Sequence, residues 1–340
     1  MKKIISGLFL LVITVLFGCT SPTQKVYLFI YDMDDPYIAA LANEIVRVGK
    51  DYYPIEIHDA QNSQILQNER IEEVLKIKPR LIIINPVDRL GAYPIIEKAK
   101  AVGVPIIFIN REPLARDLDL YDQSYYVGAL AEQSGILQAE LVAELFGNNP
   151  VSLNEFDRNN DNIIQMIIMK GEQGHQDAEL RTEFIVSELE RRGFALEVLT
   201  TEIANWNTLI AKNRAMVILP SLQDRVEVIV SNNDAMAIGV IQAMIDLGIF
   251  TDENENQMVD KDDDFWIPVI GIDGIEEATN YMRSGHLYAT VLNDAIGQAY
   301  ATISLARFLL DGIALETVGL ELTNQRYVWV DYKKYTLTED

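Results

Sequence analysis

From Lys25 onward the chain alternates short β-branched runs with segments of helical spacing, and this alternation restricts the fold more than any other feature. Positions 26–31, 55–57, 81–84 and 104–109 are near-continuous apolar runs, the pattern of strands buried on both faces. Between them, 38–48, 65–77 and 92–102 carry apolar residues at helical intervals. A second series follows the polar stretch 147–162. Strands are predicted at 163–169, 195–199, 226–230 and 266–272, and helices at 178–192, 235–247 and 275–284. A last strand and helix, 289–292 and 298–310, fit either series. Repeated βαβ units require parallel sheets covered by helices on both faces, so the sequence predicts an α/β chain of two doubly wound domains in tandem.

The N-terminus sets the compartment. Lys2 and Lys3 precede an apolar run from 4 to 17 that is too short to span a bilayer and ends at Gly18-Cys19. Residues 1–18 read as a signal peptide, and Cys19 as the lipidated first residue of the exported chain, with 19–25 as a linker. Cys19 is the only cysteine, so the rest of the chain has no disulfide, thiolate metal site or thiol nucleophile. The remaining length exceeds what one core usually covers, which again gives two domains. With 51 acidic against 28 basic residues and a net charge of −23, nucleic acid is excluded as a partner.

In open parallel sheets, ligands sit beyond the carboxyl ends of the strands, so polar residues that directly follow apolar runs are the candidates. Asp34 and Asp35 follow the first run, and Asn110, Arg111 and Glu112 the fourth. Asn232, Asn233 and Asp234 follow a later one, and Asp273 and Asn293 the last two. Carboxylates and amides together can bridge hydroxyls, each of which both donates and accepts. Tyr37 and Trp206 are candidates to cover the apolar faces of a sugar ring, although plain packing accounts for them equally well. The residues alone lead to a polar, uncharged ligand held between two domains.

Three further stretches stand out. Residues 157–165 place Asp157, Asn159, Asp161 and Gln165 at positions one, three, five and nine, with the Ile163 carbonyl at seven. This is the spacing of a calcium-binding EF-hand loop. Position six is Asn162 rather than glycine, and position twelve is Ile168, so a bidentate acid has to come from elsewhere. The run Lys170-Gly171-Glu172-Gln173-Gly174-His175-Gln176-Asp177 leads into a helix that carries Arg181. There His175, Asp177 and Arg181 either face the cleft or, for the last two, form a surface ion pair. The acidic stretch 251–264 reads as an exposed loop.

These segments together resemble the periplasmic glucose/galactose-binding protein family, over about 26–332. The resemblance rests on Tyr31-Asp32-Met33-Asp34-Asp35, Phe108-Ile109-Asn110-Arg111-Glu112-Pro113, Tyr125-Tyr126-Val127-Gly128, the 170–181 stretch, Asn232-Asn233-Asp234-Ala235-Met236-Ala237 and Thr290-Val291-Leu292-Asn293-Asp294. It implies the type I periplasmic-binding-protein fold, with lobes 26–129 plus 293–328 and 130–292 plus 329–340 joined by a three-segment hinge near Ala129, Asn293 and Val328. It also implies a hexose held by Asp35, Asn110, His175, Asp177, Arg181, Asn233, Asp273 and Asn293 between Tyr37 and Trp206. Tyr37 stands where the family has phenylalanine. Glu227 matches the family's bidentate calcium ligand and completes the set Asp157, Asn159, Asp161, Ile163, Gln165 and Glu227.

What the resemblance implies is a monomeric solute-binding lipoprotein, not an enzyme. It captures D-glucose or D-galactose by lobe closure and hands the sugar to the permease and ATPase of an ABC importer. It would sit on the periplasmic face of the inner membrane, or alternatively on the cell surface. The alternatives are a sugar-sensing receptor for chemotaxis and a carbohydrate-active enzyme. Against the second, the sequence has only three histidines, no serine-nucleophile elbow and no phosphate-binding loop.

Overall fold

The runs Val-Tyr-Leu-Phe-Ile and Leu-Ile-Ile-Ile are buried at every position, as strands covered by helices on both faces must be. In the computed structural model, which describes residues 25–250, 258–259 and 265–337, they are two of twelve strands. The signal peptide, Cys19 and most of 251–264 lie outside the described residues. The first lobe contains β1 (Val26–Ile30), α1 (Pro36–Gly49), β2 (Ile55–Asp59), α2 (Gln64–Lys76), β3 (Leu81–Ile84), α3 (Ala92–Val102), β4 (Ile106–Ile109), the short α4 (Ala115–Leu118) and β5 (Ser124–Gly128).

The second lobe contains α5 (Ala131–Leu145), β6 (Ile164–Lys170), α6 (Gln176–Arg191), β7 (Leu196–Ile203), α7 (Thr208–Leu222), β8 (Val228–Ser231), α8 (Asp234–Asp246), β9 (Val269–Asp273), α9 (Glu276–Arg283) and β10 (Ala289–Leu292). The chain then returns to the first lobe with α10 (Ala295–Asp311), which packs on α1, and β11 (Tyr327–Trp329). It ends in the second lobe with β12 (Lys333–Tyr335).

Each sheet has six strands, in the orders β2-β1-β3-β4-β5-β11 and β7-β6-β8-β9-β10-β12. All pairings are parallel except β10 with β12. The two halves thus share one doubly wound topology. Each sheet is sandwiched between two apolar clusters. Ile38, Leu41 and Ile45 of α1 pack on one face of the first sheet, and Ile71 and Ile95 of α2 and α3 on the other. In the second lobe, Val142 and Ile185 of α5 and α6 oppose Ala215 and Ile241 of α7 and α8. The final strand and helix divide between the lobes.

Two predicted strands begin later than expected, for the same reason. Pro105 and Pro268 cannot donate to a ladder, so β4 starts at Ile106 and β9 at Val269. The run 226–230 likewise starts late, at Val228. Helices α5 and α7 and strand β5 were not read from the pattern. Helix α5 has no side-chain cap at Leu130 and carries Gly135, where a Cβ would lie 2.9 Å from the Arg181 carbonyl oxygen of the crossing α6. Helix α7 contains Pro220, and Lys212-Asn213-Arg214 splits its apolar residues so that no contrasting face results. Within the acidic stretch, Val259 is buried and donates its N–H to the Ser284 carbonyl at 3.0 Å.

The chain crosses between lobes after β5, after β10 and after β11. Ala129 and Asn293 lie in the first two crossings. Val328 sits inside β11, and the third crossing follows at 330–332.

Candidate functional site

The carboxyl ends of β1, β4, β6, β7, β8, β9 and β10 converge on a cavity between the lobes. All ten residues expected to hold a ligand line it: Asp35, Tyr37 and Asn110 from the first lobe, His175, Asp177, Arg181, Trp206, Asn233 and Asp273 from the second, and Asn293 at a crossing. Tyr31, Ile38 and Arg111 complete the lining.

On the first wall, Asp35 caps α1. Its Oδ1 accepts from the N–H groups of Tyr37 (3.0 Å) and Ile38 (3.2 Å), and Pro36 supplies the first helical residue. The Tyr31 hydroxyl donates to Asp35 Oδ2 at 2.6 Å. The Arg111 guanidinium lies 3.7 Å from the centre of the Tyr31 ring, and its Nη1 donates to the Val87 carbonyl. Burial and the Asp35 charge hold the Tyr31 phenol well above its usual pKa, so it stays a donor. Asn110 adopts a left-handed conformation (φ 60°) that asparagine tolerates, and its Oδ1 accepts from Asn85 Nδ2 at 3.1 Å.

On the second wall, His175 caps α6, with its Nδ1 accepting from the Asp177 N–H at 3.2 Å. That bond fixes the tautomer and leaves Nε2 as a donor. Burial lowers the imidazole pKa to about 4, so the ring is neutral at ordinary pH. Arg181, 4% exposed, donates to the Asn232 carbonyl and to the Tyr332 hydroxyl (2.9 Å) and lies 3.7 Å from Asp177 Oδ2. Burial opposes its charge, but Tyr332, Asp273 and Asp177 outweigh that and raise its pKa.

Trp206 sits at φ 64°, a strained conformation for a bulky side chain. Its ring lies against Gly171, where a Cβ would come within 2.4 Å of the indole. Only glycine at the end of β6 leaves room for that plane. Asp273 is similarly strained, at φ 127°. Behind it the buried Asp234 accepts from the Gly274 N–H (2.7 Å), the Ile275 N–H (3.1 Å) and the Thr290 hydroxyl (2.6 Å). Burial pushes the Asp234 pKa up to about 6 and raises that of Asp273 well above the usual carboxylate range.

The three asparagines share one arrangement. Asn110 Oδ1 is taken by Asn85, Asn233 Oδ1 by the Met236 N–H (2.9 Å) and Asn293 Oδ1 by Gln298 Nε2 (2.7 Å). With its oxygen committed to the scaffold, each amide keeps at least one N–H for the cavity; the nitrogen of Asn233 also donates to the Trp206 carbonyl and that of Asn293 to Asp273 Oδ1, each at 3.4 Å. Asp35, Asp177 and Asp273 offer acceptors, and Arg111 and Arg181 balance much of their charge. Donors and acceptors therefore alternate around a nearly neutral cavity flanked by Tyr37 and Trp206. A neutral ring bearing several hydroxyls matches this pattern better than an ion. Sequence analysis put Arg111 beside Asn110 among the polar residues that follow a strand but gave it no role. It gave none to Tyr31, Asn85 or Gln298 either.

The 157–165 loop ends where β6 begins. Asp157 accepts from the N–H groups of Asp161 (3.2 Å) and Asn162 (2.9 Å). Glu227, 62 residues away from Gln165, joins the loop, accepting from the N–H groups of Arg158 (2.7 Å) and Gln165 (3.2 Å). Asn162 has the left-handed conformation (φ 59°) that glycine usually supplies, and its side chain bonds Leu153 and Pro150. Burial raises the Glu227 pKa, and Asp157 adds to the rise. This all-oxygen donor set suits a hard cation such as calcium. Among the described residues, no three histidine, cysteine or acidic side chains are grouped closely enough to hold a metal as they stand.

Comparison with known proteins accords with this geometry. A family model described as "Periplasmic binding protein domain" matches residues 26–314. The chain is 33% identical over 316 residues to the D-galactose/methyl-galactoside binding periplasmic protein MglB of Haemophilus influenzae, covering 91% of this chain and 89% of that protein. It is 26% identical to a putative rhizopine-binding protein of Rhizobium meliloti, with 93% of each covered. Among solved structures, an ABC transporter solute binding protein from Bacillus halodurans with bound myo-inositol superposes with a TM-score of 0.73. The two are 26% identical, over 93% of this chain and 95% of that one.

Proposed function

Because the chain belongs to the periplasmic binding protein family, we propose that it captures D-glucose or D-galactose between its lobes and delivers the sugar to the permease and ATPase of an ABC importer. It is a binding protein and not an enzyme. The observation that carries the sugar reading is the cavity's polarity: three amides turned by the scaffold to donate, three carboxylates to accept, and an aromatic side chain on either wall. Each hydroxyl of a hexose can then donate to a carboxylate and accept from an amide, while its C–H faces meet Tyr37 and Trp206. The galactose-binding relative and the myo-inositol-bound structure point to the same class, polyhydroxylated six-membered rings.

In this reading the protein acts outside the cytoplasm as a monomer, held to the membrane by a lipid on Cys19. Calcium is a structural ion in the second lobe, bound by Asp157, Asn159, Asp161, Gln165, Glu227 and the Ile163 carbonyl. Its charge would offset the crowded Asp157 and Glu227 carboxylates. Calorimetric titration of the chain, freed of carried-over sugar, with glucose, galactose and ribose tests the function. Tight binding of one hexose that disappears in Asp177→Ala is expected. No heat with either hexose would overturn the reading.

A further inference from the structure

Tyr37 carries a group that covering a sugar face does not require. Its phenol oxygen accepts a hydrogen bond from Gln298 Nε2 at 2.9 Å, and the same amide nitrogen donates to Asn293 Oδ1 at 2.7 Å. Both hydrogens of the Gln298 amide are therefore committed inside the cavity wall. Gln298 is 1% exposed, in the first turn of α10, and the Asp294 carbonyl holds its backbone N–H at 2.9 Å. Asn293 presents its oxygen to this amide because its own Nδ2 donates to Asp273 Oδ1 at 3.4 Å, which favours the nitrogen of Gln298 in these bonds; the Gln298 oxygen is buried without a partner among the described residues. Tyr37 thus acts as acceptor toward Gln298 and keeps its O–H for a different partner.

Among the described residues no protein acceptor takes that proton. Asp273, Tyr332, Arg181 and Tyr126 act on the phenol through their charge or dipole, and its one hydrogen bond among the described residues is that from Gln298. Tyr37 itself is 5% exposed and lines the cavity, where buried hydroxyls are expected to find partners.

We infer that the Tyr37 hydroxyl donates a hydrogen bond to one hydroxyl oxygen of the captured sugar, with Gln298 as the residue that aims it. This rests on the sugar reading above and deepens it: one ring position is selected by polarity as well as by contact. A phenylalanine at position 37 would cover the same ring face without that selection. Gln298 serves two ligand-facing groups, since the amide that leaves the Tyr37 proton free also fixes Asn293 with an N–H group inward.

The test is calorimetry of the chain, Tyr37→Phe and Gln298→Leu with glucose and its 2-, 3-, 4- and 6-deoxy analogues. For one position, deleting the sugar hydroxyl should cost the parent protein about 3- to 10-fold more affinity than it costs Tyr37→Phe, the worth of one neutral hydrogen bond. Gln298→Leu should lower discrimination at the same position and weaken every analogue through Asn293. If glucose binds both the parent and Tyr37→Phe, and every deletion costs the two equally, the inference is overturned while the sugar reading stands. If the parent binds no hexose, the sugar reading itself fails and takes the inference with it.

Discussion

Gly171 shows how one missing methyl group can create a binding surface. The indole of Trp206 occupies the space that a Cβ at position 171 would fill. Gly171→Ala should push the ring off its plane and weaken hexose binding roughly fivefold or more, the scale of a lost aromatic contact. Titration with tryptophan fluorescence as readout checks this, and unchanged affinity would mean that the ring is not a platform. His175 gives a prediction about pH. Its pKa is about 4 in the fold and about 6.5 in an unfolded chain. Between those values the unfolded state binds more protons, so this residue's contribution to stability grows as pH rises through the window. Asp234, raised to about 6, acts in the opposite sense over its own window. The difference between the chain and His175→Gln isolates the first effect. That difference should widen from about pH 4 to 6.5 and then level off in urea titrations, and one that narrows would contradict the assignment. Residues that follow a strand directly, such as Asn110 and Asn233, were legible because the strand places them at the cleft. Asn85, which serves Asn110 from 25 residues away, and Gln298, which serves Tyr37 from 261 residues away, were not. Their roles exist only once the elements are packed, and no local pattern records that.

Among the elements, those with a strong pattern and a cap were readable. Helix α1, with Asp35 and Pro36 at its start and an apolar stripe behind, is an example. Helix α5 was not, although the buried Gln138 on it reaches three carbonyls, that of Ser231 at the end of β8 (2.9 Å) and those of Ile270 (3.0 Å) and Gly271 (3.3 Å) within β9. Gln138→Leu should cost about 2 kcal/mol in a denaturant titration, because it strands buried acceptors. No loss would mean that the carbonyls are satisfied without it. The loop before β6 predicts a metal response. Removing calcium with a chelator should lower the melting temperature of the chain and leave Glu227→Gln nearly unmoved. Equal responses in both proteins would exclude Glu227 from the site. Spacing alone found this loop. The proposed sixth ligand, Glu227, was beyond pattern reading because it reaches the loop from just before β8, and only the resemblance supplied it.

At the scale of the whole molecule, the walls of one cavity come from two lobes, and a bond between Gln176 and Glu112 (3.2 Å) spans the mouth. On the proposed reading, sugar should shift the population from open to closed. Small-angle scattering should record a smaller radius of gyration with saturating hexose than without, and identical curves would contradict closure. The duplicated sheet order was readable from the alternation of runs and helices, whereas the exchange of the final segments came only from the resemblance, since β11 and β12 are three residues each. That exchange bears on the chain's history before it ever meets a ligand. The last strand of each sheet is made from the final stretch of sequence, and each lobe borrows it across the crossing. A chain threaded N-terminus first through a membrane pore cannot complete either sheet until nearly all of it has emerged. Both lobes therefore reach their full strand number at almost the same moment, when the last segment of the chain is in place.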